Sequence, residues 1–181
     1  MLKTIPDKTE QLMMSRDSGK TGNIQFPDGY YMRSYTDNKT DGIGWCKCCI
    51  EGSLGVEEIS ESVFENKMLK DTTVDAANIF FLISPTGDIA GTVTYQYTNA
   101  EDTGCIHMVA IEKSYRGKKL GVPLILYAVK KMIDDGKKKI ILKTDDWRIP
   151  AIRTYLRAGF VPVVKAGDAD MENRWKRIYE F

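Results

Sequence analysis

Residues Cys105–Ile141 read CIHMVAIEKSYRGKKLGVPLILYAVKKMIDDGKKKII, and the order of patterns inside this stretch decides the fold. Cys105–Ile111 is apolar and β-rich, whereas Lys113–Gly121 is a turn crowded with Arg, Lys and Gly. From Val122 to Ile133 the apolar residues follow helical spacing, and a second apolar strand comes at Ile140–Leu142. Strand, helix and strand in succession make a crossover unit, which sets the strand at 140–142 parallel to that at 105–111. The turn that opens the helix aims backbone N–H groups, and the positive end of the helix dipole, at whatever occupies it. Arg116, Lys118 and Lys119 add positive charge there, so the turn is a candidate site for a phosphorylated ligand.

Upstream, Ile79–Ser84 (IFFLIS) and Ile89–Tyr97 (IAGTVTYQY) are predicted strands joined as a hairpin by Pro85-Thr86-Gly87-Asp88. With the strand ending at Ile111, which follows the turn Asn99–Gly104, they form an antiparallel meander. Before them come an expected strand at Tyr30–Tyr35 and helices at Ile43–Glu51 and from Gly55 or Val56 to Leu69, with Val74–Asn78 as a connection. Downstream, a helix is expected at Pro150–Arg157, stopped by Gly159. A final pair of strands is expected at Phe160–Val164 and Trp175–Tyr179, joined by a loop over 166–170. Residues 1–26 are polar with weak periodicity and are expected to be a loosely ordered arm, leaving 27–181 as a single domain. The fold class is α/β: a mixed, mostly antiparallel sheet of six or seven strands flanked by helices, with one parallel pair linked by the crossover helix.

The bulk numbers narrow the partners. The chain has 181 residues, 43% hydrophobic and 28% charged, with a net charge of +1. Nothing global argues for a nucleic acid or a lipid surface, so any basic site is local. The polar start MLKTIPDKTE does not resemble a signal peptide, and no apolar run approaches the ~18 residues of a membrane span, so a cytoplasmic protein is expected. Three of the four cysteines crowd into WCKCC at 45–49, but Cys-x-Cys-Cys lacks the spaced second pair of a zinc site and the one histidine, His107, is distant in sequence. Free thiols of a reducing compartment, and no metal, are expected.

Two local motifs carry a family resemblance. Val109–Leu124, VAIEKSYRGKKLGVPL, resembles the acyl-CoA signature of the GCN5-related N-acetyltransferase (GNAT) superfamily, Arg/Gln-x-x-Gly-x-Gly/Ala after an apolar strand. Arg116 takes the first position and Gly121 the last, while Lys119 replaces the middle glycine. Ala151–Phe160, AIRTYLRAGF, resembles the helix of that family whose tyrosine faces the thioester sulfur; Arg148 stands where an asparagine is common. The order of elements over about 27–180 is similar too. The resemblance implies a GNAT-like sheet and acetyl-CoA as acyl donor. The pyrophosphate would lie on the N–H groups of Lys118, Lys119, Leu120, Gly121 and Val122, with the Arg116 and Lys118 side chains alongside, and Gly117 and Arg148 are further expected donor-binding residues. It also implies a bulge that splays the strand at Met108–Ile111, exposing Val109, Ala110 and Ile111 to the pantetheine arm, with an N–H near Val109 facing the thioester oxygen.

An amine acceptor must be neutral to attack, and an alkyl amine with a pKa near ~10 needs a base at neutral pH. His107 is the leading candidate for that base, with Asp145, Asp146 and Glu112 as alternatives. In the family Tyr155 would hydrogen-bond or protonate the departing thiolate. The implied activity is direct acetyl transfer to a small-molecule or peptide amine, with acceptor contacts from 43–69 and 166–174, no metal, no nucleic acid or membrane partner, and a possible homodimer. A non-catalytic acyl-CoA-binding module on the same fold is the alternative.

Overall fold

Apolar residues on alternate positions lay down the sheet of the computed structural model, which describes residues 10–52 and 54–180. In chain order its elements are β1 (Leu12–Asp17), β2 (Tyr31–Ser34), α1 (Lys39–Ile50), α2 (Glu61–Phe64, continued by a wider π turn over Glu65–Leu69) and β3 (Val74–Ile83). Next come β4 (Ile89–Tyr97), β5 (Thr103–Ile111), α3 (Gly121–Asp134), β6 (Lys139–Thr144), α4 (Ile149–Arg157), β7 (Val161–Pro162) and α5 (Ala169–Tyr179). The seven strands run in the order β2-β3-β4-β5-β6-β1-β7. Among the described residues β5 and β6 form the one parallel pair, from Thr103↔Lys139 to Ile106↔Leu142, and α3 is their crossover. The α/β architecture expected from the sequence is therefore the one observed.

Two expectations need correction. Residues 1–9 of the expected loose arm lie outside the described residues, but Leu12–Asp17 is a strand in the body of the sheet. It pairs antiparallel with β6, Leu12↔Thr144 through Asp17↔Lys139, and on its other edge with β7 at Met14↔Pro162 and Ser15↔Val161. Both edges are thus hydrogen-bonded and Leu12 and Met14 are fully buried, which holds a short, partly polar segment that propensity alone would leave loose. The second correction follows from the first. With β1 in that slot, Trp175–Tyr179 is not a strand but part of α5. Asp168 caps that helix by accepting a bond from the Met171 N–H at 3.0 Å, and Met171, Trp175 and Ile178 recur at helical spacing on its buried face. Smaller shifts also occur: the second helix starts only after Ser60, whose hydroxyl accepts from Val63 N–H, and Val74–Asn78 belongs to β3 across a register irregularity.

Helices cover the sheet on both faces. α3, α4 and α5 pack Leu124, Ile125, Ala128, Ile152 and Trp175 against Val93, Tyr95, Ile106 and Leu142 on one side. On the other, α1 and α2 bury Trp45, Phe64 and Met68 against Ile79, Phe81 and Ile83. Each such fully buried large side chain contributes roughly 1.5–3 kcal/mol relative to exposure. Sandwiched between sheet and α2, α1 buries Cys46, Cys48 and Cys49 together. Burial pushes the Cys48 thiol up to about 12 and Cys49 well above its usual value, so both stay neutral packing groups. No cluster of potential metal ligands occurs among the described residues. Asp41, also buried in α1, is held by both guanidinium nitrogens of Arg33 at 2.6 and 2.8 Å, which keeps its carboxyl below the usual range.

Candidate active site

The site begins with a defect in β5. In the ladder with β4, Thr92 faces Ala110 and Thr94 faces His107, so Val93 alone stands against Met108 and Val109. That extra residue is a β-bulge, and Met108 accommodates it at a φ of 51°, in the left-handed region. On the other edge the parallel pairing stops at Ile106↔Leu142. Beyond it β5 and β6 diverge, and Val109 has a partner in neither register. The splay is thus present, although a bulged Met rather than Gly hides it in the sequence.

The basic turn closes the far end of the opening. A short 3₁₀ turn, Lys113–Tyr115, leads into it, and the Arg116 Nε donates back to the Ile111 carbonyl at 3.0 Å, tying the turn to the end of β5. Gly117 (φ 79°) and Lys119 (φ 60°) both take left-handed backbone. Leu120, the residue before α3, makes no side-chain cap. The first N–H groups of that helix are therefore left to whatever binds there, Pro123 having none to offer. A Cβ at Gly121 would stand 3.0 Å from the Thr154 methyl, so glycine lets the start of α3 sit against α4. A cavity of about 430 Å³ is lined by Val109, Ala110, Ile111, Arg116, Gly117, Lys119, Leu120, Gly121 and by Thr154 and Tyr155 of α4. Lys118 and Val122 are not among its lining residues, and the Lys118 ammonium lies 4.7 Å over the ring of Tyr115, which does line it.

A second cavity, about 660 Å³, opens on the other side of the splay and includes Gln11, Gln96, Cys105, His107, Thr144, Asp145 and Arg148. Val109 and Tyr155 line both cavities, so the two meet at the bulge. Tyr155 is brought there by α4, with Pro150 in its first turn, and is 8% exposed. Burial pushes its phenol up to about 12, against a smaller opposing effect of Arg148, so it is a proton-bearing donor at neutral pH. His107 is half-buried, and burial lowers its pKa below 6.5 despite the opposing field of Asp71. A neutral imidazole in this cavity can take a proton.

The other expected bases are accounted for. Asp146 is clamped by Arg174 at 2.9 and 2.5 Å, which lowers its pKa, and Glu112 accepts from the Ser114 N–H and hydroxyl at the far end of β5. Asp145 does line the second cavity, held by Arg148 Nε at 2.9 Å and by Gln11 Nε2 at 3.1 Å. Arg148, expected among the donor-binding residues, lines this second cavity and stacks on Trp147 at 4.5 Å. Of the expected acceptor segments, Leu54 from the first lines this cavity and none of 166–174 does. Gln11, Gln96 and Thr144 carry no local signal in the sequence: their place follows from strand register, Thr144 opposite Leu12 and Gln96 opposite Cys105.

Comparison with known proteins points one way. The sequence model of the Acetyltransferase (GNAT) family matches residues 44–160. A mycothiol acetyltransferase from Corynebacterium aurimucosum is 37% identical over 65 residues, 34% of this chain and 21% of that protein. Among solved structures, a GCN5-related N-acetyltransferase from Sphaerobacter thermophilus superimposes with a TM-score of 0.65 at 18% identity, covering 85% of this chain and 48% of that one. The spermidine N-acetyltransferase from Vibrio cholerae, in complex with CoA and spermine, gives 0.58 at 19% identity, covering 75% and 82%. The chain thus spans about a fifth of the curated relative and about half of the Sphaerobacter protein.

Proposed function

We propose, from the premise that this chain belongs to the acetyltransferase (GNAT) family, that it transfers an acetyl group from acetyl-CoA directly to an amine. The observation that carries this reading is the meeting of two cavities at Val109 and Tyr155 beneath the β5 bulge. One cavity would take the donor and the other the acceptor, with the thioester at their junction. The uncapped start of α3 and the left-handed turn before it hold the pyrophosphate through backbone N–H groups, with Arg116, Lys118 and Lys119 supplying charge. Unpaired main chain at Val109–Ile111 takes the pantetheine amides, and the Val109 N–H faces the thioester oxygen as negative charge gathers on it. Arg148 borders the thioester end of the donor.

The amine lone pair attacks the thioester carbon while His107, directly or through one water, accepts the proton that nitrogen sheds. The new C–N bond forms, the C–S bond breaks, and the thiolate leaves against the Tyr155 hydroxyl, which donates to sulfur. The one proton that nitrogen sheds is matched by the one that sulfur gains, so amine and acetyl-CoA become amide and free CoA thiol without a covalent enzyme intermediate, and His107 and Tyr155 return to their starting states. Four free cysteines, three of them buried, fit action in the reducing cytoplasm. No helix among the described residues is long and apolar enough to cross a membrane. The mycothiol and spermidine enzymes differ from each other in the acceptors their names carry, so neither acceptor transfers to this chain.

Acetyl-CoA is expected to raise the melting temperature, because it binds the folded state. Thiol release across an amine panel then identifies turnover, and Tyr155→Phe is expected to lower kcat about 10- to 100-fold while the acetyl-CoA KM stays close to unchanged. Acetyl-CoA binding without turnover of any amine, and with no effect of Tyr155→Phe, would replace this reading with a non-catalytic acyl-CoA-binding module.

A further inference from the structure

We propose, resting on the acetyl-transfer reading above, that Gln96 selects the acceptor by accepting a hydrogen bond from a hydroxyl or amide N–H carried on the body of the amine. Gln96 lines the acceptor-side cavity. It lies opposite Cys105, on the sheet face that carries His107 opposite Thr94, so Gln96 and His107 are diagonal neighbours, roughly 7–8 Å apart along the ladder.

Its carboxamide has one orientation, dictated by the turn before β3. The Thr73 hydroxyl gives its one proton to Asp71 Oδ1 at 2.5 Å, and the Thr73 N–H donates to the same oxygen at 2.9 Å. A carboxylate only accepts, and the Thr73 hydroxyl has no proton left, so whatever reaches them must donate. Gln96 does so twice, from Nε2 to Asp71 Oδ2 at 3.2 Å and to Thr73 Oγ1 at 2.7 Å. Both amide protons are then used. Oε1 is turned the other way, and no donor among the described residues meets it. Gln96 lines the cavity, so its Oε1 is the acceptor left for a donor brought in by the substrate.

The carboxylates nearby point to the same class of substrate. Asp145 is engaged by Arg148 and Gln11, and Asp71 by Thr73 and Gln96. A linear polyamine would find no carboxylate in this cavity without a protein partner among the described residues. A polar monoamine with a neutral donor a few bonds from its nitrogen (an amino sugar, an amino alcohol or an amino-acid amide) meets Gln96 instead. A site built to bond such a donor rejects the analogue lacking it, because its own polar atom is left unpaired.

Thiol release with saturating acetyl-CoA is measured for matched amines: glucosamine against cyclohexylamine, ethanolamine against propylamine, glycinamide against its N,N-dimethylamide, and spermidine. The hydroxyl and amide arms distinguish the two donor types. The donor-bearing member of at least one pair is expected to have a kcat/KM about tenfold or more higher, falling to within about threefold in Gln96→Leu with the acetyl-CoA KM unchanged. Asp71→Asn frees the carboxamide to turn over, so it lowers the same discrimination, yet adds nothing in the Gln96→Leu background if it acts only through Gln96. Melting temperatures check that each variant folds, and Asp71→Asn carries the test if Gln96→Leu does not. Discrimination that survives both substitutions, or spermidine as the best acceptor, overturns the inference and leaves acetyl transfer standing. No turnover with any amine overturns acetyl transfer and this inference with it.

Discussion

Lys119 occupies a backbone conformation in which glycine is at ease and other residues are strained, with φ at 60°. In the proposed pyrophosphate cradle the contacts come from the N–H directions of the turn, which do not depend on the Lys119 side chain. Lys119→Gly is therefore expected to leave stability equal or up to about 1 kcal/mol higher by chemical denaturation, and to keep the acetyl-CoA KM within about threefold. A tenfold rise in KM would mean that the ammonium, not the backbone, does the binding. His107 gives a pH signature. Burial lowers its pKa below 6.5, with Asp71 opposing, so the neutral base predominates above that value and is lost as pH falls through it. At saturating amine, kcat is expected to drop on an acid limb whose midpoint lies below 6.5, and His107→Asn is expected to remove that limb in a pH–rate profile.

At the scale of elements, the bulge in β5 lies where the two cavities lined by Val109 and Tyr155 meet. Met108 makes it possible by accepting a φ of 51° that a β-branched residue resists. Met108→Val is expected to cost about 1–2 kcal/mol in denaturant melts and to weaken acetyl-CoA binding, whereas Met108→Gly leaves the binding intact. The bulge also shows where sequence reading stops. β4 is legible to the residue because Ile89–Tyr97 is β-rich between clear turn residues, and the crossover β5–α3–β6 follows from its periodicities. Tyr155 and the basic turn are legible from their motifs. The bulge is not, because Met in a strand carries no mark of a left-handed backbone. Trp175–Tyr179 misleads for another reason: its aromatic and branched residues suit a strand locally, but the slot a last strand would fill is held by β1. Gln96 is invisible for a third, since its orientation depends on Asp71 and Thr73, which only the fold brings to it.

Across the whole molecule, β1 fastens the N-terminal region to the part of the sheet nearest the chain's end. Leu12 and Met14 are fully buried in the core shared with α3, α4 and α5. Leu12→Ala or Met14→Ala is expected to cost about 2–5 kcal/mol, seen as a lower denaturation midpoint with the slope retained. The arrangement also bears on how the protein is made. On a ribosome β1 emerges before every other described strand, yet the strands that flank it, β6 and β7, are the last two described strands to be made. Until then it has no edge to join, and β6 and β7 have a gap between them when they appear. Such long-range pairing is slow to form. The sheet is therefore completed only once β7 has been made, by the strand translated before all the other described ones.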